Sequence, residues 1–158
     1  MRPITVFDID GVLADVRHRL PLLAGRPKRW DDFFAAAVDD PLLAEGADLV
    51  RECADTDEIR YLTGRPERSR ALTEEWLDRH GLPTGEVTMR PDGDHRPARL
   101  FKVEQLRSWQ RHRTITLVVD DDPEVVAVLR DLDLPVRQAK WLPYQRPLAE
   151  AQEDDGRT

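Results

Sequence analysis

Four short segments hold residues whose types and spacing suit catalysis: Asp8-x-Asp10-Gly11, Thr63-Gly64-Arg65, the single residue Lys102, and Asp120-Asp121. Carboxylates crowded together repel one another, so a cluster of them persists around a cation or as a catalytic site. Each segment alone also has an ordinary reading. Asp-x-Asp recurs by chance in an acidic chain, Thr-Gly can close a strand, an isolated helical lysine is usually a solvated charge, and Arg65 reads equally well as a surface salt bridge. The two readings separate only if the fold brings the four segments to one place.

The surrounding pattern predicts that it does. A β-prone run at Ile4, Val6, Phe7 and Ile9 ends among the first carboxylates. Trp30, Phe33, Phe34, Ala37 and Val38 recur at helical spacing, and a second helix runs through Leu42, Leu43, Leu49 and Val50. Ile59, Tyr61 and Leu62 make a strand ending at Thr63-Gly64-Arg65, followed by a helix with Leu72, Trp76 and Leu77 that Gly81 closes with a left-handed cap. A strand at Glu86–Met89, a helix with Leu100, Val103 and Leu106, a strand at Ile115–Val119, a helix with Val125, Val126 and Leu129, and a short strand near Val136 complete the alternation. Alternating strands and helices predict an α/β fold: a doubly wound parallel sheet in three layers, with a minimal helical cap. Ligands of such sheets bind at the carboxyl ends of the strands, where the strand order reverses. Asp10 lies two residues beyond Asp8, so on an extended chain both side chains point the same way.

In type and order the four segments resemble the motifs of the haloacid dehalogenase (HAD) superfamily of phosphotransferases, from Ile4 to about Val128. The closer resemblance is to the phosphatase domain of phage and bacterial polynucleotide kinase/phosphatases, carried by FDIDGVLAD, LTGRPERSRALTEEWLDRHGLP, MRPDGDHR with Lys102 after it, and VVDDDPEVVAVLRDLDLPV. It implies a Mg2+-dependent phosphomonoesterase with Asp8 as nucleophile, Asp10 as general acid and then base, and Thr63 and Lys102 acting on the phosphoryl oxygens. It further implies Gly64, Arg65 and Arg96 as substrate-binding residues. The implied metal ligands are Asp8 and Asp120, the Asp10 backbone carbonyl, and Asp121 directly or through water. The implied substrate is a phosphorylated nucleic-acid end, the 3′-phosphate favoured. A nucleotidase on free mononucleotides is the near alternative, and a catalytically silent phosphate-binding module of the same fold a more distant one. Family loops near Arg96 commonly continue with Lys and Asp, whereas this chain has Pro97 and Ala98. No GxxxxGK[ST] loop occurs, so only the phosphatase half is represented. A signalling receiver domain also uses an acceptor Asp, a Thr, a Lys and an acidic pair, but in an order opposite to the one found here.

Composition bounds the rest. The chain has 158 residues, 24 Lys and Arg against 31 Asp and Glu, and a formal charge of −7. This length predicts one domain at 1–148 with a small helical insert at about 18–56, and the acid-rich 149–158 reads as a disordered tail. No apolar run nears the ~20 residues of a membrane helix and the first residues lack a signal-peptide core, which predicts a cytoplasmic protein without a membrane partner. Cys53 is the only cysteine, so an internal disulfide or multi-cysteine zinc site is excluded; it reads as a small residue on a buried helix face. His18, His80, His95 and His112 show no metal-ligand spacing, and the four tryptophans read as core or rim. Between Arg65 and Arg113 there are 11 Lys and Arg against 8 Asp and Glu, a net of +3 in an acidic chain. That local excess favours a phosphate-rich substrate, beside the plainer reading of a salt-bridged surface.

Overall fold

The computed structural model describes residues Met1–Thr158. Strands β1 (Ile4–Phe7), β2 (Glu58–Pro66), β3 (Glu86–Arg90), β4 (Ile115–Asp120) and β5 (Val136–Gln138) form one parallel sheet in the order β3-β2-β1-β4-β5. The chain starts at the centre, winds outward through β2 and β3, then crosses back to add β4 and β5 on the other side. Strand order therefore reverses between β1 and β4, which pair with Phe7 opposite Val119. The Asp8 amide donates to the Val119 carbonyl at 2.9 Å, so Asp8 sits at that reversal.

Alternation along the strands sorts the core into two faces. Phe7, Ile59, Tyr61 and Val119 pack on one side with Val50 of α2 (Ala44–Ala54) and with Trp76 and Leu77 of α3 (Arg70–Arg79). Ile4, Val6, Leu62 and Val118 pack on the other with Phe101 and Leu106 of α4 (Ala98–Gln110) and with Val125 and Leu129 of α5 (Pro123–Asp131). The fold is thus the doubly wound, three-layered α/β sheet that the alternation predicts. Gly81 has φ +61°, in the left-handed region expected of the cap after α3. Cys53 lies in α2, half-buried against the first core face.

A third, smaller cluster stands at the carboxyl edge of the sheet. Val16, Leu20 and Leu23, around a 3-10 turn at Arg17–Leu23, pack with Phe33 and Phe34 of α1 (Trp30–Ala35). Within the insert expected at about 18–56, α2 is a layer helix, so the part standing over the edge is the shorter stretch before Asp40. The same cluster contains Leu148 of α6 (Arg146–Ala149) and Ala151. Residues 149–158 accordingly differ from the disordered tail that their composition suggests: α6 continues into a π-helical turn at Glu150–Asp154, and Ala151, Gln152 and Thr158 are buried. Glu153 pairs with Arg99, and Asp155 with Lys28 at 2.5 Å. Within this segment only Ala151 joins the cluster, beside Leu148 just before it, and their partners lie more than a hundred positions away, so no local periodicity marks it. No helix is long and apolar enough to cross a membrane.

Candidate active site

The carboxyl edge holds two groups of charges with different balances. The first is a triad of carboxylates around one ammonium. Asp8 follows β1, Asp120 ends β4, and Asp121 is the next residue; carboxylate oxygens of the three all lie within 4.8 Å of one another. Two backbone amides fix the rotamers. Ile9 N–H donates to Asp8 Oδ1 at 2.8 Å and Asp122 N–H to Asp120 Oδ1 at 2.9 Å, which leaves both Oδ2 atoms facing inward. Lys102, on the second turn of α4, reaches across from the other layer and places Nζ 3.0 Å from Asp8 Oδ2 and 2.6 Å from Asp120 Oδ2. Gly11, at φ +80°, makes room for the third member, since a Cβ there would stand 2.4 Å from Asp121 Oδ2.

Three carboxylates against one ammonium leave a formal excess of two negative charges. Burial pushes the Asp8 carboxyl up to about 7, helped by Asp120 and Asp10 and opposed by Lys102. Burial and the same crowding raise Asp121 well above the ordinary carboxylate range. Lys102 is driven the other way: burial alone would lower its pKa, but Asp120 and Asp8 outweigh it and hold the ammonium charged. A cavity of about 290 Å3, lined by Gly11, Asp121, Gln138, Leu142, Tyr144 and Gln152 among others, opens beside Asp121.

The second group pairs its charges. Asp10 and Asp40 face Arg19 and Arg65 in a buried box, and the half-exposed His18 reaches in from solvent to place Nε2 2.6 Å from Asp40 Oδ1. Asp10 Oδ1 accepts from Arg65 Nε at 3.0 Å, Arg65 Nη2 at 2.6 Å and Arg19 Nη2 at 2.9 Å. Asp40 accepts from Arg19 Nε and Nη2 at 2.8 Å each and from Arg65 Nη2 at 3.1 Å. Trp76 Nε1 donates to the Asp40 carbonyl at 2.9 Å and ties the box to α3. Burial would raise the Asp10 pKa, but Arg65 and Arg19 together hold it well below the usual carboxylate range. The one Asp10 oxygen free of guanidinium, Oδ2, accepts from the hydroxyl of Thr158 at 2.5 Å.

Of the residues singled out in the sequence, Asp8, Asp120, Asp121 and Lys102 meet directly, and Asp10 joins the edge through the arginine box rather than through the carboxylate triad. Thr63 is fully buried on β2, two residues beyond the Phe7–Tyr61 pair, and its Oγ1 accepts from the Arg65 amide at 3.2 Å. Gly64 lies against the Thr158 backbone: a Cβ at Gly64 would meet the Thr158 carbonyl carbon at 2.2 Å. Arg65 is no surface ion pair: its guanidinium is buried and directed at Asp10, Asp40 and Thr73, with one Nη1 N–H beyond those contacts. Arg96 is set apart from the cluster, half-exposed and paired with Asp94 at 2.8 Å and Glu104 at 2.7 Å. Much of the basic stretch is likewise paired, as at Arg70 with Glu67 and Glu74. Arg19, Asp40 and Thr158 escape sequence reasoning. Only Arg19 carries a signal, a charge set among Leu20, Leu22 and Leu23, where burial demands a carboxylate partner.

A family model described as the phosphatase domain of the polynucleotide kinase PNKP matches residues 2–141, which include every member of both charge groups. The chain belongs to this family. The PNKP phosphatase-domain family places it among HAD-type phosphatases. Of solved structures, one titled as a Pnkp1/Rnl/Hen1 complex superposes with a TM-score of 0.74 at 24% identity, over 90% of this chain and 48% of that one. A second, titled as the Pnkp1/Rnl/Hen1 RNA repair complex, gives 0.72 at 25% identity over 90% and 44%. The chain therefore spans about half the length of these relatives. A haloacid dehalogenase-like hydrolase from Streptococcus pneumoniae shares the fold at a TM-score of 0.59 and 12% identity, covering 97% of this chain and 92% of its own. No curated protein matches.

Proposed function

We propose that this PNKP-family domain is a divalent-cation-dependent phosphomonoesterase that removes the 3′-phosphate from nucleic-acid ends through an aspartyl phosphate on Asp8. The observation that carries the reading is the unbalanced triad: Asp8, Asp120 and Asp121 converge on one ammonium at the strand reversal, with an excess charge equal to that of a divalent ion. Oxygen donors in a small buried cluster fit Mg2+, with Asp8, Asp120 and Asp121 offering side-chain oxygens and the Asp10 carbonyl a further one. When bound, such an ion neutralises the crowded carboxylates and polarises a phosphoryl oxygen.

The chain's own groups then divide the work. Asp8 attacks phosphorus while the bond to the leaving alcohol breaks, which splits one hard displacement into two easier ones. Asp10 handles the protons through Oδ2: held ionised by Arg19 and Arg65, it takes up a proton from solvent, gives that proton to the leaving oxygen in the first step, and takes one from the attacking water in the second. Arg19 and Arg65 are positioning residues that hold Oδ1 and so aim Oδ2. Lys102, the Thr63 hydroxyl and the Gly64 amide receive the phosphoryl oxygens in transit. Arg96, partly exposed beyond the cluster, meets a neighbouring phosphate of the strand only by exchanging Asp94 and Glu104 for it. The family model supports a nucleic-acid end as substrate, as does the RNA repair complex in which Pnkp1 is found.

The experiment is phosphate release from a 3′-phosphorylated oligonucleotide and from the matching 3′-mononucleotide, with Mg2+, for the parent and Asp8→Asn. The expected result is higher kcat/KM on the oligonucleotide, a gap that narrows as salt rises because phosphate contacts release counterions, and no turnover by Asp8→Asn. Turnover by the variant would remove Asp8 as nucleophile. Equal activity on the mononucleotide at every salt concentration would move the assignment to a nucleotidase.

A further inference from the structure

The segment 150–158 lies across the site with more contacts than loose packing requires. Thr158 donates its hydroxyl to Asp10 Oδ2, the position that the reading above gives to the leaving alcohol, and its backbone covers Gly64. Gly156, at φ +59°, runs so close to the carbonyls of His95 and Arg96 that a Cβ would stand 2.0 Å from the first. The Glu153 carboxylate accepts from the Arg99 amide at 3.2 Å and pairs with the Arg99 guanidinium, so it occupies the N-terminus of the 13-residue α4. The Asp155 carboxylate rests on Lys28. An alcohol on the catalytic acid, followed by anions on a helix N-terminus and on a lysine, is the pattern of groups that a nucleic-acid end presents. The fit is incomplete at one buried cation. Arg90 is 1% exposed and donates through Nε to the Gly64 carbonyl at 2.9 Å, yet its Nη2 has no partner beneath the segment. A buried guanidinium N–H without an acceptor carries a desolvation penalty that an incoming anion would relieve.

We propose that the bed beneath residues 150–158, formed by Asp10, Gly64, Arg90, Arg99 and Lys28, is the channel for a single-stranded polynucleotide end, and that the segment is its built-in competitor. The proposal rests on the phosphatase reading. The Thr158 hydroxyl stands where the leaving alcohol goes, and Glu153 and Asp155 stand where phosphates go. A polynucleotide displaces the segment by offering several phosphates at once, including one to the unpartnered Nη2 of Arg90. A small phosphate monoester can contest only the Thr158 contact, and its apparent affinity falls with the fraction of open molecules. The segment thus selects for polymers without any base contact.

The test uses the full chain and two variants that loosen the segment from different ends, Gly156→Ala and Glu153→Gln with Asp155→Asn. Two readouts are taken with Mg2+: kcat/KM of the parent and both variants on 4-nitrophenyl phosphate, and, in a separate Asp8→Asn protein that cannot consume the ligand, hydrogen exchange of amides 150–158 with and without a 3′-phosphorylated oligonucleotide. The expected result is a rise of about tenfold in kcat/KM for the small substrate in both variants, from the larger open fraction, together with faster exchange in 150–158 when the oligonucleotide is added. Unchanged or lower kcat/KM in variants that melt like the parent would overturn the proposal, as would exchange in 150–158 that the oligonucleotide slows or leaves alone. Absence of turnover in the parent and all variants, with oligonucleotide-driven exchange present, would overturn the phosphatase reading and leave the channel standing.

Discussion

Both ends of the sheet carry buried aspartate, and they treat it in opposite ways. At the amino end, Asp57 is surrounded by neutral donors: Thr5 Oγ1 at 2.7 Å, Thr56 Oγ1 at 2.9 Å, and the hydroxyl of Thr116. Burial would raise its pKa, but those hydroxyls prevail and lower it, so the ionised form is the stable one. At the carboxyl end, Asp8 and Asp121 face other carboxylates and are pushed up instead. One end spends its carboxylate on joining β1, β2 and β4. The other concentrates negative charge that the folded protein alone does not neutralise, which is an arrangement suited to a cation and a phosphate rather than to stability. Within the carboxyl end the arginine box repeats the contrast at shorter range, because Asp10 and Asp40 are matched one for one by Arg19 and Arg65.

The largest effect expected from breaking this contrast is at Asp10. Asp10→Asn should lower turnover by ~10²–10⁴, the usual contribution of a positioned proton-transfer group. It should also destabilise the fold by about 3 kcal/mol, because two buried guanidinium groups lose a charged partner. Steady-state kinetics with urea unfolding checks both, and a variant within threefold of the parent in kcat would remove Asp10 from the chemistry.

A smaller effect is expected at the amino end. Asp57→Ala removes the acceptor shared by three hydroxyls, of which Thr116 retains the Ile4 carbonyl at 3.1 Å, and should cost about 1–3 kcal/mol, with kcat unchanged. The pH dependence has a definite sign. Asp57 has a folded pKa below its unfolded value, so its contribution is fully present above the unfolded pKa of about 4 and is lost as pH falls through the folded pKa. The stability difference between parent and Asp57→Ala should therefore shrink on going from pH 7 to pH 3, as read from urea midpoints. A constant difference would mean that packing, not the ionised carboxylate, holds that end together.

Much of this was legible in the sequence because the relevant signals are local. β-prone runs interrupted by Asp8-x-Asp10, Thr63-Gly64 and Asp120-Asp121 place those residues at strand ends, and the alternation of elements puts the strand ends on one edge. Lys102 was legible only through family resemblance, since a lysine on a helix has no periodic mark of its own. The charge balance of the edge was not legible. Arg19 and Asp40 come from the insert, Arg65 from β2, and the fact that they close a box around Asp10 depends on burial and on rotamers that spacing does not encode. The same holds for Thr158, whose contact with Asp10 spans 148 residues, and for Arg96, which motif position placed near the phosphate and the fold pairs with Asp94 and Glu104.

The excess charge of the Asp8, Asp120 and Asp121 triad is measured most directly by thermal melting of the parent and Asp121→Asn, each with and without Mg2+. Without the ion, Asp121→Asn should melt above the parent by roughly 2–4 °C, the shift that about 1 kcal/mol of relieved repulsion gives in a domain of this size. Mg2+ should raise the parent's Tm and raise the variant's by less, since Asp8 and Asp120 still offer it two carboxylates. A variant that melts below the parent without the ion, or Mg2+ shifts of equal size in both proteins, would contradict the reading of this edge as a cation site built at the expense of stability.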